Sequence, residues 1–279
     1  MLSSFSRFTF GSMSLGRNPA EVSNDLAVAR RAMEAGVWFH SSPTYNNGFT
    51  FMVLRMAFDE CPRQMPRMVI KVRDATPGLM RFEVEDTCRR LGLDGIDVAQ
   101  LVSMDARPGN LADQLRGNGG PVADELASLR SRGLVRKAVL FLTPENSDAA
   151  VEAMRSGLVD GVILYWNAMQ RDCSDSAWAA IRQQKVLALA LRTVGGGPND
   201  KASVAKAAQL AELVSAAGCR SATKFNLRLA ASEPVIRTTI GGTASMGHLE
   251  EYLAAAKNPA PLPAEILMRV DLLRAAVVA

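Results

Sequence analysis

Short apolar runs alternate along the chain with longer stretches in which apolar residues recur every three or four positions. The runs fall at Arg7–Met13, Gly36–His40, Met68–Val72, Ile96–Val102, Val135–Leu142, Gly161–Trp166, Val186–Arg192 and Arg237–Gly241. Several are continuous rather than alternating, which predicts parallel strands covered on both faces. Helical spacing between them predicts helices over Pro19–Ala35, Phe49–Phe58, Gly78–Leu91, Val122–Ser131 and Ser147–Arg155. Ser176–Arg182, Ala202–Ala217, Ala222–Ala231 and Met246–Ala256 continue the series, with Gly36 and Gly218 placed as stops. Eight strand–helix units in strict order predict an α/β fold, one (β/α)8 TIM barrel over residues 1–279. A doubly wound sheet would place a glycine-rich turn after its first strand, and the stretch from Gly11 to Gly16 is not GxGxxG.

Composition narrows the function classes. The net charge is +4, and the basic residues are scattered rather than blocked, so no nucleic-acid partner is expected. The cysteines (Cys61, Cys88, Cys173 and Cys219) lie far apart with no His at ligand spacing. This predicts free thiols, no metal site and a reducing, cytoplasmic compartment. No apolar run approaches the ~18 residues a membrane span needs. The first ten residues lack a charged start followed by an apolar stretch, so no secretory signal is expected. The partner expected is a small molecule, phosphorylated compounds included. The sequence sets no oligomeric state.

In a barrel the C-terminal ends of the strands form the functional face. The positions there are Gly11–Ser14, His40–Tyr45, Lys71–Asp74, Val102–Asp105, Phe141–Thr143, Trp166–Asn167, Arg192–Gly197 and Gly241–Ser245. Along the chain run FGSMSLG at Phe10–Gly16, AMEAGVWFHSSPTYNNG at Ala32–Gly48, MVIKV at Met68–Val72 and RRLGLDGIDVAQL at Arg89–Leu101. LASLRSRGLVRKAVL at Leu126–Leu140, YWNAMQR at Tyr165–Arg171 and TIGGTASMGHLEEYLAA at Thr239–Ala255 follow in order. Together they resemble the aldo-keto reductases over nearly the whole chain.

That resemblance implies reduction of a carbonyl by NADPH or NADH, with NADP or NAD as cofactor. Tyr45 falls on the family's proton donor and Lys71 on its electrostatic partner. A free phenol titrates near pH 10, so a neighbouring ammonium that stabilises phenolate helps it donate a proton. The family's aspartate position is His40 and its histidine position is Val102, which makes this a divergent member with a degenerate tetrad. His40 is a third catalytic candidate, either in contact with Tyr45 or as a proton relay near its ordinary range.

The resemblance also implies cofactor contacts at Gly11, Ser12, Met13, Asn167, Arg192, Gly241, Gly242, Thr243, His248 and Glu251. Phe141, Leu142, Ile163 and Leu191 replace the residues that hold the nicotinamide, and Tyr252 replaces an asparagine at the adenosine half. Glycine-rich loops from Arg192 through Gly195, Gly196 and Gly197, and over Gly241–Ser245, suit a phosphate. Gly242 and Ala244 supply no cation for a 2′-phosphate, so discrimination between NADPH and NADH should be weak. The alternative is a barrel that has lost nicotinamide chemistry. It would carry out proton transfer or elimination with Tyr45, Lys71 and His40, or act only by binding. Trp38, Trp166 and Trp178 read as core, with Trp166, at a strand end, also a candidate for the barrel mouth. Asp105 and Arg107, after the fourth strand, could reach substrate or simply pair in solvent.

Overall fold

The computed structural model describes residues 5–73, 76–102, 120–193 and 201–275. Its strands are β1 (Phe8–Gly11), β2 (Trp38–Ser41), β3 (Met68–Arg73), β4 (Ile96–Val102), β5 (Val135–Phe141), β6 (Gly161–Tyr165), β7 (Leu187–Leu191) and β8 (Ile236–Gly242). They pair in parallel in chain order, and β8 returns to β1 to close the barrel. The helices among the described residues are α1 (Val22–Glu34), α2 (Phe49–Glu60), α3 (Pro77–Leu91), α4 (Pro121–Ser131) and α5 (Ser147–Arg155). They continue with α6 (Asp175–Gln184), α7 (Lys201–Ala216), α8 (Ala222–Ala231), α9 (Met246–Ala256) and α10 (Ala264–Ala275). The expected α/β barrel is present, with a strand at each of the eight apolar runs.

Two ends differ from expectation for local reasons. β1 stops at Gly11 because Ser12–Ser14 tightens into a 3-10 turn closed by Leu15 N–H on Ser12 O. α1 starts at Val22 because Asn18 caps a separate 3-10 turn at Pro19–Glu21. Helix α10 is an addition. Its buried residues Ile266, Val270 and Leu273 follow helical spacing, a stripe the strand–helix alternation does not call for.

Strand alternation sorts the core into two shells. Phe8, Phe10, Phe39, Met68, Ile70 and Leu101 face outward and pack beneath the helices. Trp38, Val69, Val98, Val139, Ile163 and Leu189 face inward and fill the barrel with one apolar cluster. The interior is therefore a packed plug, and the strand C-termini are the functional face of such a barrel. Trp166 falls on the outward parity. It is 2% exposed, stacks on Trp178 at 6.4 Å, and does not line the mouth. The four cysteines are unpaired. Among the described residues, no group could hold a metal ion and no helix is long and apolar enough to cross a membrane.

Gly241, within β8, is required by a close approach. A Cβ there would lie 2.6 Å from the Tyr252 ring, which is buried and stacked on Phe8 at 4.6 Å. The ring has nowhere to retreat, so Gly241→Ala should cost about 1–3 kcal/mol of stability by overpacking. Denaturant unfolding of the variant measures this, and an unchanged midpoint would show that the ring yields.

Candidate active site

The inward-facing position two residues beyond the apolar plug forms the next layer up on β2 to β7. It comprises His40 on β2, Lys71 on β3, Gln100 on β4, Phe141 on β5, Tyr165 on β6 and Leu191 on β7. Pairing across β3 and β4 sets Lys71 opposite Gln100. Tyr45 comes from the loop after β2, and its ring lies over this layer with Lys71 Nζ 5.0 Å from the ring centroid. Its ring centroid is 6.3 Å from that of His40, edge to face. The structure thus brings Tyr45, Lys71 and His40 together at the mouth.

His40 is fully enclosed, and its Nε2–H donates to Gln100 Oε1 at 2.7 Å. Burial, then the charge of Lys71, lowers its pKa from 6.5 to about 3, so it is neutral across the physiological range. It is therefore a hydrogen-bonding group rather than a relay titrating near neutrality. Burial, and then Tyr165, pushes the Tyr45 phenol well above its ordinary value. Burial, and then Arg192, lowers the pKa of Lys71. Among the described residues no carboxylate pairs with Lys71.

The loop that carries Tyr45 is tied down by its neighbour. Asn46 and Asn47 adopt left-handed backbone at φ 49° and 55°, a conformation asparagine tolerates better than most residues. Asn46 Nδ2 donates to the carbonyls of Met13 at 2.9 Å and Leu15 at 2.7 Å, joining this loop to the one after β1. Asn46→Ala loses both bonds and adds left-handed strain, for a cost of about 2–3 kcal/mol. Chemical denaturation tests this, and a change within error would show the loop to be held by other contacts.

The remaining candidates lie around the rim. Gly11 pairs with Gly242, and a Cβ on Gly242 would come within 2.8 Å of Gly11 O. Ser12 is buried, with Oγ 2.7 Å from the Ser41 hydroxyl, and Met13 is exposed. The side chain of Asn167 is committed: Nδ2 donates to Arg192 O at 2.9 Å and Oδ1 accepts from Met169 N–H at 2.8 Å. Arg192 itself has left-handed backbone at φ 57°, and its guanidinium lies 3.9 Å from the Tyr165 ring centroid. Thr243 Oγ1 accepts from Ser245 N–H at 2.9 Å, and Ser245 caps α9 through His248 N–H. On α9, Glu251 Oε1 is buried with no hydrogen-bond partner among the described residues. Gly195, Gly196, Gly197, Asp105 and Arg107 lie outside the described residues.

Gln100 and Tyr165 are the site residues that sequence reading missed. The signal available for Gln100 was a lone polar side chain inside the apolar run of β4. For Tyr165 it was inward parity at a strand end.

No protein-family model matches the chain, and no curated protein matches it. Solved structures do. An aldo-keto reductase from Klebsiella pneumoniae, in complex with NADP and acetate, aligns at TM-score 0.76 and 17% identity, over 97% of this chain and 92% of its own. An aldo-keto reductase from Bacillus halodurans in its holo form aligns at TM-score 0.75 and 19% identity, over 99% and 94%. The glycerol dehydrogenase of Gluconobacter oxydans aligns at TM-score 0.72 and 18% identity, over 96% and 91%. The chain has the closed (β/α)8 fold of the aldo-keto reductases.

Proposed function

We propose that the protein is a divergent aldo-keto reductase that reduces a small carbonyl compound with a nicotinamide dinucleotide in the cytoplasm. Tyr45 is its proton donor and Lys71 the partner of Tyr45. The observation that carries this reading is the ammonium of Lys71 beside the Tyr45 ring at the open end of a barrel of this fold. A bound reduced nicotinamide would supply hydride. The chain's own residues handle the proton. Tyr45, like any phenol, is protonated at neutral pH and meets the carbonyl oxygen as a donor; burial raises its pKa further, a weakening that the charge of Lys71 offsets. Lys71 favours the phenolate left behind, and its lowered pKa lets it return a proton more readily than a free lysine.

The residues present suit the adenosine half of such a cofactor. The orphaned Glu251 Oε1 can accept from an amino group, and the first turn of α9 presents backbone N–H groups beside the exposed Gly242. They do not suit the carboxamide. Phe141, Leu142 and Ile163 are apolar and Asn167 is already engaged. This second observation favours the other reading, a barrel that moves protons without nicotinamide or acts only by binding. Single-turnover reduction of simple aldehydes, with enzyme in excess over NADPH, separates the two. Carbonyl-dependent NADPH oxidation supports reduction, and its absence moves the protein to the second reading.

A further inference from the structure

Several buried charges elsewhere in the described chain have partners, and Glu251 Oε1, on α9, is the acidic atom without one that bears on the cofactor reading above. Glu83 is held by Arg73, Glu125 by Arg81, and Asp25 accepts from Gly16 N–H at 2.7 Å. Arg274 donates to Asn167 O through Nε and Nη2 and lies beside Asp271. Lys71 is a further departure. It projects into the mouth, mostly withdrawn from water, and among the described residues no hydrogen bond or ion pair offsets its charge. Among the described residues, the ring of Tyr45 and the neutral His40–Gln100 pair lie nearest in its layer, which Phe141, Tyr165 and Leu191 complete.

A second cation adds to the same field. Arg192 acts on Lys71 electrostatically, and its guanidinium is laid over Tyr165 by a left-handed backbone that Asn167 pins from behind. A desolvated ammonium without a counter-ion is costly unless an anion arrives to pair with it. Strained backbone that delivers a charged group to a mouth is characteristic of binding sites.

We propose that the mouth takes an anionic carbonyl compound, whose carboxylate or phosphate, one or two carbons from the carbonyl, supplies the counter-charge that no described residue gives Lys71. Tyr45 is left to face the carbonyl oxygen. The anion preference needs only the charges. The carbonyl part rests on the reduction proposed above.

The test is calorimetric titration of the full chain, without cofactor, using matched pairs: pyruvate against pyruvamide, and dihydroxyacetone phosphate against dihydroxyacetone. Inorganic phosphate is a fifth titrant. The anionic member should bind at least about tenfold more tightly than its neutral partner, the size expected for a desolvated charge pair. The pair showing the larger ratio distinguishes carboxylate from phosphate. Lys71→Met should abolish the ratio, and Arg237→Ala, at the opposite end of the barrel, should leave it intact. His40→Asp keeps the lysine but sets a carboxylate beside it, and should also collapse the ratio. That variant covers the case in which Lys71→Met does not fold. Equal binding within both pairs, or a preference that survives His40→Asp, would overturn the proposal, as would phosphate binding unchanged by Lys71→Met. An anion preference without NADPH oxidation would remove the reduction reading alone. Equal turnover of pyruvate and pyruvamide, with equal binding, would remove the anion preference alone.

Discussion

Tyr45→Phe lowers the single-turnover rate of carbonyl reduction by about two to four orders of magnitude, the range for losing a positioned general acid. The substitution removes one oxygen and keeps the ring. The packing against His40 and the cation contact with Lys71, both made through the ring, should therefore persist. Substrate affinity should change little, because the loss falls on the transition state. Lys71→Met should lower the rate by a smaller factor, since the phenol remains but its phenolate loses a stabilising charge. The pH profile carries a further signature. His40 is neutral from mildly acid pH upward, so no inflection should appear near its ordinary value of 6.5. A rate that is unchanged in Tyr45→Phe would remove this residue from the chemistry.

Stability should fall as the pH drops from about 6.5 to about 3, and His40 should be a principal cause. In the folded chain its pKa is about 3, whereas the unfolded chain restores the ordinary 6.5. Within that window the unfolded state binds a proton that the folded state refuses, so stability rises with pH across it. The contribution is fully present above about 6.5 and is lost as the pH approaches 3. Its magnitude is on the order of 4–5 kcal/mol, from about 1.4 kcal/mol for each unit between the two values. Glu125, whose pKa is lowered by its bond to Arg81, pulls in the same direction at lower pH. The clean quantity is therefore the difference between the wild type and His40→Gln, which cannot titrate. Denaturant unfolding at pH 7 and pH 4 should show a clearly smaller loss in the variant. Equal losses in both proteins would mean that water reaches the imidazole.

The barrel was legible because each strand announces itself as an apolar run and each helix by its spacing. What escaped depends on which face a residue takes once the barrel closes. Gln100 is one polar side chain in an apolar strand, and nothing local pairs it with His40, sixty positions away. Trp166 and Tyr165 are neighbours, yet alternation sends the first beneath the helices and the second into the mouth. Reading Trp166 as a mouth candidate weighed strand-end position over parity. α10 escaped because it follows the last strand–helix unit, where the repeat gives no cue. Tyr45 and Lys71 were found through resemblance, and their meeting depends on left-handed asparagines that periodicity does not register.

Direct titration tests whether this barrel works with a nicotinamide dinucleotide. NADPH and NADH are each added to the full chain at pH 7, and binding is followed by calorimetry or by the cofactor's fluorescence. Saturable binding of both is expected, with a preference for NADPH well below about a hundredfold, or about 2.7 kcal/mol. The reason is that Gly242 and Ala244 offer no cation to the 2′-phosphate. Glu251→Ala should weaken both cofactors together by removing the carboxylate whose Oε1 is buried without a partner among the described residues. Absence of saturable binding for either dinucleotide at millimolar concentration would contradict the account.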